Sequence, residues 1–104
     1  MRGDVYRLPP RKDARGHEQG GRRLGVVIQS DLLRLSTLLI APTSTNALAT
    51  VFRPEVEIQG ERTRVMVEQT TAVQAQRLRD QVGRLSNAEL MDVDAALRVV
   101  FGLM

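Results

Sequence analysis

Residues 1–23 hold Arg2, Arg7, Arg11, Lys12, Arg15, Arg22 and Arg23 against only Asp4, Asp13 and Glu18. The rest of the chain has eight basic and nine acidic residues, so the net charge of +3 originates in this one segment. A localised cationic segment is the electrostatic footprint of a polyanion binder. Arginine outnumbers lysine fourteen to one, and its planar fork suits bidentate phosphate contact and base stacking. A compositional bias toward arginine would explain that ratio equally well, but not the clustering. His17, the one histidine, lies inside the segment and has the only side chain whose ordinary pKa is near neutrality, so it could shuttle a proton. The plainer alternative is a solvated loop histidine. No cysteine is present, which removes thiol catalysis and disulfides and fits a reducing compartment. A zinc site would have to draw its remaining ligands from carboxylates, an uncommon set. Tyr6, Phe52 and Phe101 are the only aromatics, too few to furnish the stacking platforms of RRM- or OB-type modules.

The elements that must position these residues are short. Val5, Tyr6 and Leu8 predict a first strand ended by Pro9-Pro10. Residues 9–22, PPRKDARGHEQGGR, are polar and glycine-rich without hydrophobic periodicity and read as a loop. At about fourteen residues it is long for a compact domain, and loops of that length tend to be functional or mobile. Leu24–Ile28 is a continuous apolar run, read as a strand buried on both faces. Asp31–Leu35 reads as a helical turn, and Thr37–Ala41 as a strand stopped by Pro42. Thr43-Ser44-Thr45-Asn46 is hydroxyl-rich and turn-like, Val51–Ile58 is a strand, Gly60 turns the chain, and Arg64–Glu68 alternates with Val65 and Val67 on one face. A weaker strand is expected near Gln81–Leu85. Ser86 and Glu89 then form a capping box, and Leu90, Val93, Leu97, Val100 and Met104 fall at helical spacing on one face, with Arg98 late in the helix where a cation suits the macrodipole. Phe101 lies on or beside that face, as core or as a contact between subunits. Five or six strands followed by one amphipathic helix predict a mainly β fold, a small, partly open barrel sealed by a C-terminal helix.

The 104 residues, 42% hydrophobic and 26% charged, match one domain, 1–104, whose own core gives only marginal stability. Burying surface against a second copy would help. No apolar run approaches the roughly 20 residues of a membrane span, and Met1-Arg2-Gly3-Asp4 has no apolar segment of a signal peptide. The expected location is the cytoplasm, with no membrane association.

Several blocks resemble the MazF/PemK/Kid family of toxins. Arg2-Gly3-Asp4 is similar to its Arg-Gly-Asp/Glu strand, and Gly16-His17-Glu18-Gln19-Gly20-Gly21 followed by Arg23 to its Gly-(Ser/His)-Glu-Gln-x-Gly loop and following arginine. Val26–Asp31, Ile40–Thr45 and Val67–Val73 resemble its V-V-I-x-N-D, V-A-P-x-T-S and D-Q-x-R-T-I blocks, and residues 83–103 its C-terminal helix. The blocks occur in order over nearly the whole chain. The resemblance implies an SH3-like (CcdB/PemK-type) barrel that forms a homodimer and cleaves single-stranded RNA at short sequences. It also implies a bacterial type II toxin–antitoxin system, whose MazE-like antitoxin occupies the RNA groove with an acidic tail. Cleavage would use the 2′-hydroxyl as nucleophile and leave a 2′,3′-cyclic phosphate and a 5′-hydroxyl.

Such a reaction needs a base, an acid and positive charge on the phosphorane, and no metal or other cofactor, because the RNA supplies its own nucleophile. The resemblance assigns the phosphate clamp to Arg23, whose pKa above about 12 makes it an unusual acid. A structural arginine paired with Glu18 or a backbone carbonyl is the alternative. Ser44 or Thr43 would present a hydroxyl to the phosphate, or would only bond its own turn. Glu18 and Glu68 are the carboxylates available as base or as orienter of Arg23, and equally as salt-bridge partners. Gln19 and Gln69 would read the edges of unstacked bases, with Arg15 and Arg22 adding RNA contacts from the loop.

Three departures stand out. The family's Arg-Pro is Arg23-Leu24 here, so a fixed φ is lost. The arginine of D-Q-x-R is Thr71, which removes a cation from the groove. The hydroxyl block is one residue short, so anchoring on Ala41-Pro42 makes Ser44 the family threonine, whereas anchoring on Thr-Ser makes it Thr43. A gyrase-inhibiting, CcdB-like toxin on the same scaffold, and a weakened relative that binds RNA or antitoxin without cutting, are the competing readings.

Overall fold

The computed structural model describes residues 1–9 and 23–103; residues 10–22, most of the segment read from sequence as a loop, and Met104 lie outside the described residues. Seven strands are seen among them: β1 (Asp4–Arg7), β2 (Leu24–Val27), β3 (Thr37–Ser44), β4 (Glu55–Ile58), β5 (Glu61–Val65), β6 (Thr71–Gln74) and β7 (Gln81–Arg84). One helix, α1 (Asn87–Phe101), follows. The spatial order is β4-β5-β3-β2-β1-β7, and β6 pairs with β3. The strand pairings given are all antiparallel. The sheet curls into a nearly closed barrel, so that a Cβ on Gly83 of β7 would lie 3.7 Å from Ile58 of β4.

Alternation along β2 explains why its run is wholly apolar. Leu24, Val26 and Ile28 face the barrel interior with Ala41, Val65 and Val93, while Val27 joins Leu8 and Ile40 in a second, smaller cluster. The second cluster is completed by Tyr6, Leu38, Val73 and Leu78. Because successive side chains point to opposite faces, a strand sandwiched between two clusters has no polar position.

Element boundaries differ from the sequence reading in five places. The strand expected over Arg64–Glu68 lies earlier, at Glu61–Val65, and Val67–Gln69 is a 3-10 turn, although Val65 and Val67 are both buried as the alternation implied. Pro42 does not stop β3, which continues through Thr43 and Ser44, so these two residues are strand and the turn begins at Thr45. Proline is tolerated because β3 changes partner there: residues 37–40 pair with β6 and residues 43–44 with β5. The Pro42 carbonyl accepts Met66 N–H at 2.8 Å on that edge, and the missing donor falls in the gap between the two ladders. Residues 51–54 form a turn before β4. Residues 31–36 form a turn and irregular chain with exposed leucines, not a helix. The polar stretch after Gln69 contains β6, whose residues lean toward solvent and give no periodic signal.

The helix forms as its sequence directs. Ser86 Oγ accepts Glu89 N–H at 3.1 Å, and Glu89 Oε1 accepts Ser86 N–H at 2.9 Å. The other Glu89 oxygen accepts Glu57 N–H at 2.9 Å, so the capping carboxylate also pins α1 to β4. Burial pushes the Glu89 carboxyl up, but the bonds from the Ser86 and Glu57 backbones, with the Ser86 hydroxyl, outweigh it and leave it below the usual range. Gly102 closes the helix in the left-handed region at φ 69°. Val93 and Ala96 are buried and Leu90, Leu97 and Val100 pack beside them, whereas Phe101 is 63% exposed. At the other end Arg2 bonds the Ile28 carbonyl at 3.0 Å and pairs with Asp94 of α1. Buried Asp4 accepts Arg84 Nε at 3.0 Å. The Arg-Gly-Asp block thus fastens the barrel to its helix and to β7.

Candidate nucleic-acid interface

The site is built outward from β2 and β3. Their register pairs Gly25 with Pro42 and Val26 with Ala41; continued one residue past the end of this ladder it would set Leu24 against Thr43, and continued two, Arg23 against Ser44. Thr43 Oγ1 donates to the Leu24 carbonyl at 3.4 Å, as that register requires. On the other flank, Leu8 N–H donates to the Arg23 carbonyl at 2.7 Å, and Arg23 Nη1 donates to the Pro9 carbonyl at 3.1 Å. Arg23 is therefore held half-buried at the mouth of β2, between the ends of β1 and β3.

Alternation separates the two hydroxyls. Thr43 pairs with Val65, which is fully buried in the interior cluster, and directly opposite residues of antiparallel strands share a face. Thr43 therefore belongs to the interior side. Ser44 pairs with Arg64, and both lie on the outer side with Arg23. Ser44 Oγ accepts Asn46 N–H at 3.1 Å, which fixes the start of the turn.

Gly25 is what makes room for this arrangement. A Cβ there would come within 2.4 Å of Ile40 Cγ2 and 3.0 Å of both Leu8 methyls. The close approach of Ile40 and Leu8 over Gly25 draws β1, β2 and β3 together just beneath Arg23.

Beyond Ser44, Arg64 continues the outer face onto β5 and Glu55 onto β4, since Glu55 pairs with Arg64. Arg64 Nη1 donates to the Arg53 carbonyl at 2.8 Å, and Nη2 reaches Glu55 Oε1 at 3.4 Å. Arg62, two residues earlier and 81% exposed, meets the other Glu55 oxygen at 3.2 Å. The outer face from β2 to β4 is thus a row of Arg23, Ser44, Arg64 and Glu55, with Arg62 at its rim.

Glu68 has a different partner from the one expected. Its Oε2 accepts Arg53 Nε at 3.0 Å and Nη2 at 2.5 Å, and Gln69 Nε2 at 3.3 Å. Burial pushes the Glu68 carboxyl up, but the bonds from Arg53, its own backbone and Gln69 leave it below the usual range. The same bond raises the already high Arg53 pKa. Arg53 also stacks 5.7 Å over the Phe52 ring. Glu68 therefore anchors the 45–54 connection through Arg53, and the carboxylate that would orient Arg23 is not Glu68. Gln69 is exposed beside it.

Of the residues nominated from sequence, Arg23 stands just before β2 and Thr43 and Ser44 end the neighbouring β3 on opposite faces, and Glu68 with Gln69 forms a separate cluster with Arg53. Arg15, His17, Glu18, Gln19 and Arg22 lie outside the described residues. Sequence reading missed Arg53 and Arg64. The alternation of Glu61–Val65, with Thr63 and Val65 buried, puts Arg62 and Arg64 outward, but the strand that lies beside them was not legible. Among the described residues no group of three or more His, Cys, Asp or Glu side chains could hold a metal ion, and no helix is long and apolar enough to cross a membrane.

These features define an SH3-like barrel with a C-terminal helix and an arginine–hydroxyl face. The chain belongs to the PemK-like, MazF-like toxin family of type II toxin–antitoxin systems, whose sequence profile matches residues 1–101. It is 38% identical over 104 residues, covering 99% of this chain and 98% of the other, to a Mycobacterium tuberculosis protein described as a candidate toxin. It is 32% identical over 110 residues, covering 98% and 91%, to the endoribonuclease MazF of Staphylococcus epidermidis. Among solved structures, an endoribonuclease in complex with its cognate antitoxin from a mycobacterial species superposes with a TM-score of 0.82 at 16% identity, over 100% of this chain and 96% of the other. The Mycobacterium tuberculosis toxin MazF-mt6 gives 0.77 at 15%, over 99% of both.

Proposed function

We propose that this chain is the toxin of a type II pair and a metal-independent endoribonuclease that cuts single-stranded RNA at a short sequence. The observation that carries this reading is the β2–β3 register, which, continued past Gly25–Pro42, puts Arg23 and Ser44 on the same outer side of the sheet. The relative named endoribonuclease MazF supports the activity.

The 2′-oxygen attacks the adjacent phosphorus as its proton passes to a base, and the 5′-oxygen leaves with a proton from an acid. The products are a 2′,3′-cyclic phosphate and a 5′-hydroxyl. Arg23 clamps the scissile phosphate through charge-assisted bonds and stabilises the dianionic phosphorane. Ser44 donates to a phosphate oxygen from the same face, while Thr43, tied to the Leu24 carbonyl on the interior side, sets the register of β3 against β2. The base is assigned to Glu18 or His17, with Gln19, Arg15 and Arg22 as further RNA contacts, on the family resemblance of residues 16–23. The cognate antitoxin competes for this face with an acidic segment, and two copies of the chain form the working unit.

The test incubates purified protein with a long single-stranded RNA in EDTA and maps the 5′ ends of the fragments. Sequence-specific cuts with 5′-hydroxyl ends are expected. Arg23→Ala should lose about 10²–10³-fold in rate, the scale of removing one donor to a transition-state oxyanion. Ser44→Ala should lose more than Thr43→Ala. Intact RNA from a folded protein, or cutting that needs added magnesium, would overturn this reading, and a gyrase-dependent DNA-break response without RNA loss would move it to the CcdB-like class.

A further inference from the structure

Ser44 has a registered arginine beside it that the reading above does not use. Arg64 of β5 is its partner across the pair, while Arg23 stands just before β2 on the other flank of β3. Directly opposite residues of an antiparallel pair hold their Cβ atoms about 4.5–5.5 Å apart on one face, so the base of the Arg64 side chain is fixed beside the hydroxyl. Its far end is engaged only in part. The bond to the Arg53 carbonyl is well made at 2.8 Å. The contact with Glu55 is 3.4 Å, beyond the usual range for an N–H···O bond. Glu55 is 42% exposed and divides its two oxygens between Arg64 and Arg62, so this pair is held weakly and in contact with water. Those two bonds leave most of the five N–H donors of the guanidinium available.

We propose that Arg64 is a second phosphate-binding guanidinium of this face, masked at rest by Glu55 and transferred to the RNA backbone when a strand lies across Ser44. This rests on the endoribonuclease reading above and extends it. The ligand class is the phosphodiester next to the one clamped by Arg23. A phosphate oxygen forms a bidentate pair with Arg64 better than the stretched Glu55 contact does, while the Nη1 bond to the Arg53 carbonyl keeps the guanidinium aimed.

The test measures binding of the mapped RNA substrate, with a 2′-deoxy nucleotide at the cut position, over a series of salt concentrations. Cleavage of the all-ribose substrate by the unaltered protein is checked first. If that protein cuts no RNA, the functional reading fails before Arg64 is at issue. Arg64→Gln keeps an amide donor for the Arg53 carbonyl and removes the charge. It is expected to weaken binding about tenfold, to reduce the salt slope by about 0.7, and to leave Tm unchanged, while Arg64→Lys, which keeps the charge but not the fork, restores the salt slope and only part of the affinity. Glu55→Gln is expected to tighten binding in the unaltered background and to lose that gain when combined with Arg64→Gln. Equal affinity and slope for Arg64→Gln, or a Glu55→Gln gain that persists without Arg64, would overturn the proposal. So would a binding loss that follows a lowered Tm, with a salt slope that Arg64→Lys does not restore.

Discussion

Gly25 has no room for a side chain, and the reason is positional. An added methyl would fall 2.4 Å from Ile40 Cγ2, inside a cluster whose members are almost fully buried. Gly25→Ala is expected to destabilise the protein by about 1–3 kcal/mol, the cost of overpacking a filled site, and to lower activity by splaying β2 from β3 beneath Arg23. Urea denaturation beside a cleavage assay would check this, and unchanged stability would mean that the cluster yields. Glu68 makes a second residue-scale prediction. Its folded pKa lies below the ordinary value of 4.5, so its stabilising contribution is present above the unfolded value and lost as pH falls through the folded one. Glu68→Gln should therefore lower Tm most at neutral pH, and the gap from the unaltered protein should close as pH drops below about 4.5. A gap independent of pH would mean that the charge of Glu68 is irrelevant to its role.

Elements in this barrel are defined by their ends as much as by their interiors. The β4–β5 hairpin turns through Gln59 and Gly60, both at positive φ, 55° and 81°, which is the twist that a two-residue hairpin requires. That turn sets the pairing of Glu55 with Arg64 and so decides which arginine stands beside Ser44. The capping box of α1 works at the same scale. Ser86→Ala should cost about 1 kcal/mol through the lost cap. Glu89→Ala should cost more, because the same carboxylate also holds Glu57 of β4. Thermal melts of the two variants would decide this, and equal losses would mean that the Glu57 bond contributes nothing. The ends were also where sequence reading failed. Pro42 stops a strand in isolation, yet here it sits where β3 exchanges one partner for another, a junction that exists only once β5 and β6 are both in place.

At the scale of the whole molecule, the cations converge on one face although they come from distant stretches of sequence. Arg23 arrives from the end of the charged N-terminal segment, and Arg62 and Arg64 from a hairpin some forty residues later. RNA affinity should accordingly fall with salt, by about 0.7 log units per log unit of salt for each phosphate contacted. An affinity insensitive to salt would exclude this face as the RNA surface. The molecule also leaves large apolar groups in water: Leu32 is 91% exposed, Leu35 59%, and Met91 and Val99 on α1 are 69% and 57%. Such exposure in so small a chain favours a second copy as cover. Sedimentation equilibrium is expected to find a dimer at micromolar concentration, and a monomer throughout would assign these patches to another partner.

Local sequence was enough for whatever depends on local physics. The apolar run of β2 and the Ser86–Glu89 capping box lie within single elements, where spacing and backbone bonding leave few choices; the alternation expected over residues 64–68 found the buried Val65 and Val67 but not the end of β5 between them. Arg23 and the hydroxyl pair were nominated by the family resemblance, not by their own spacing. Sequence did not say which hydroxyl faces Arg23, because a one-residue slip moves a side chain to the opposite face and register is set by neighbouring strands. Nor did it say that Glu68 holds Arg53 or that Arg64 stands beside Ser44. Those contacts join residues whose proximity comes only from the curled sheet, and charge composition carries no record of which opposite charges will meet.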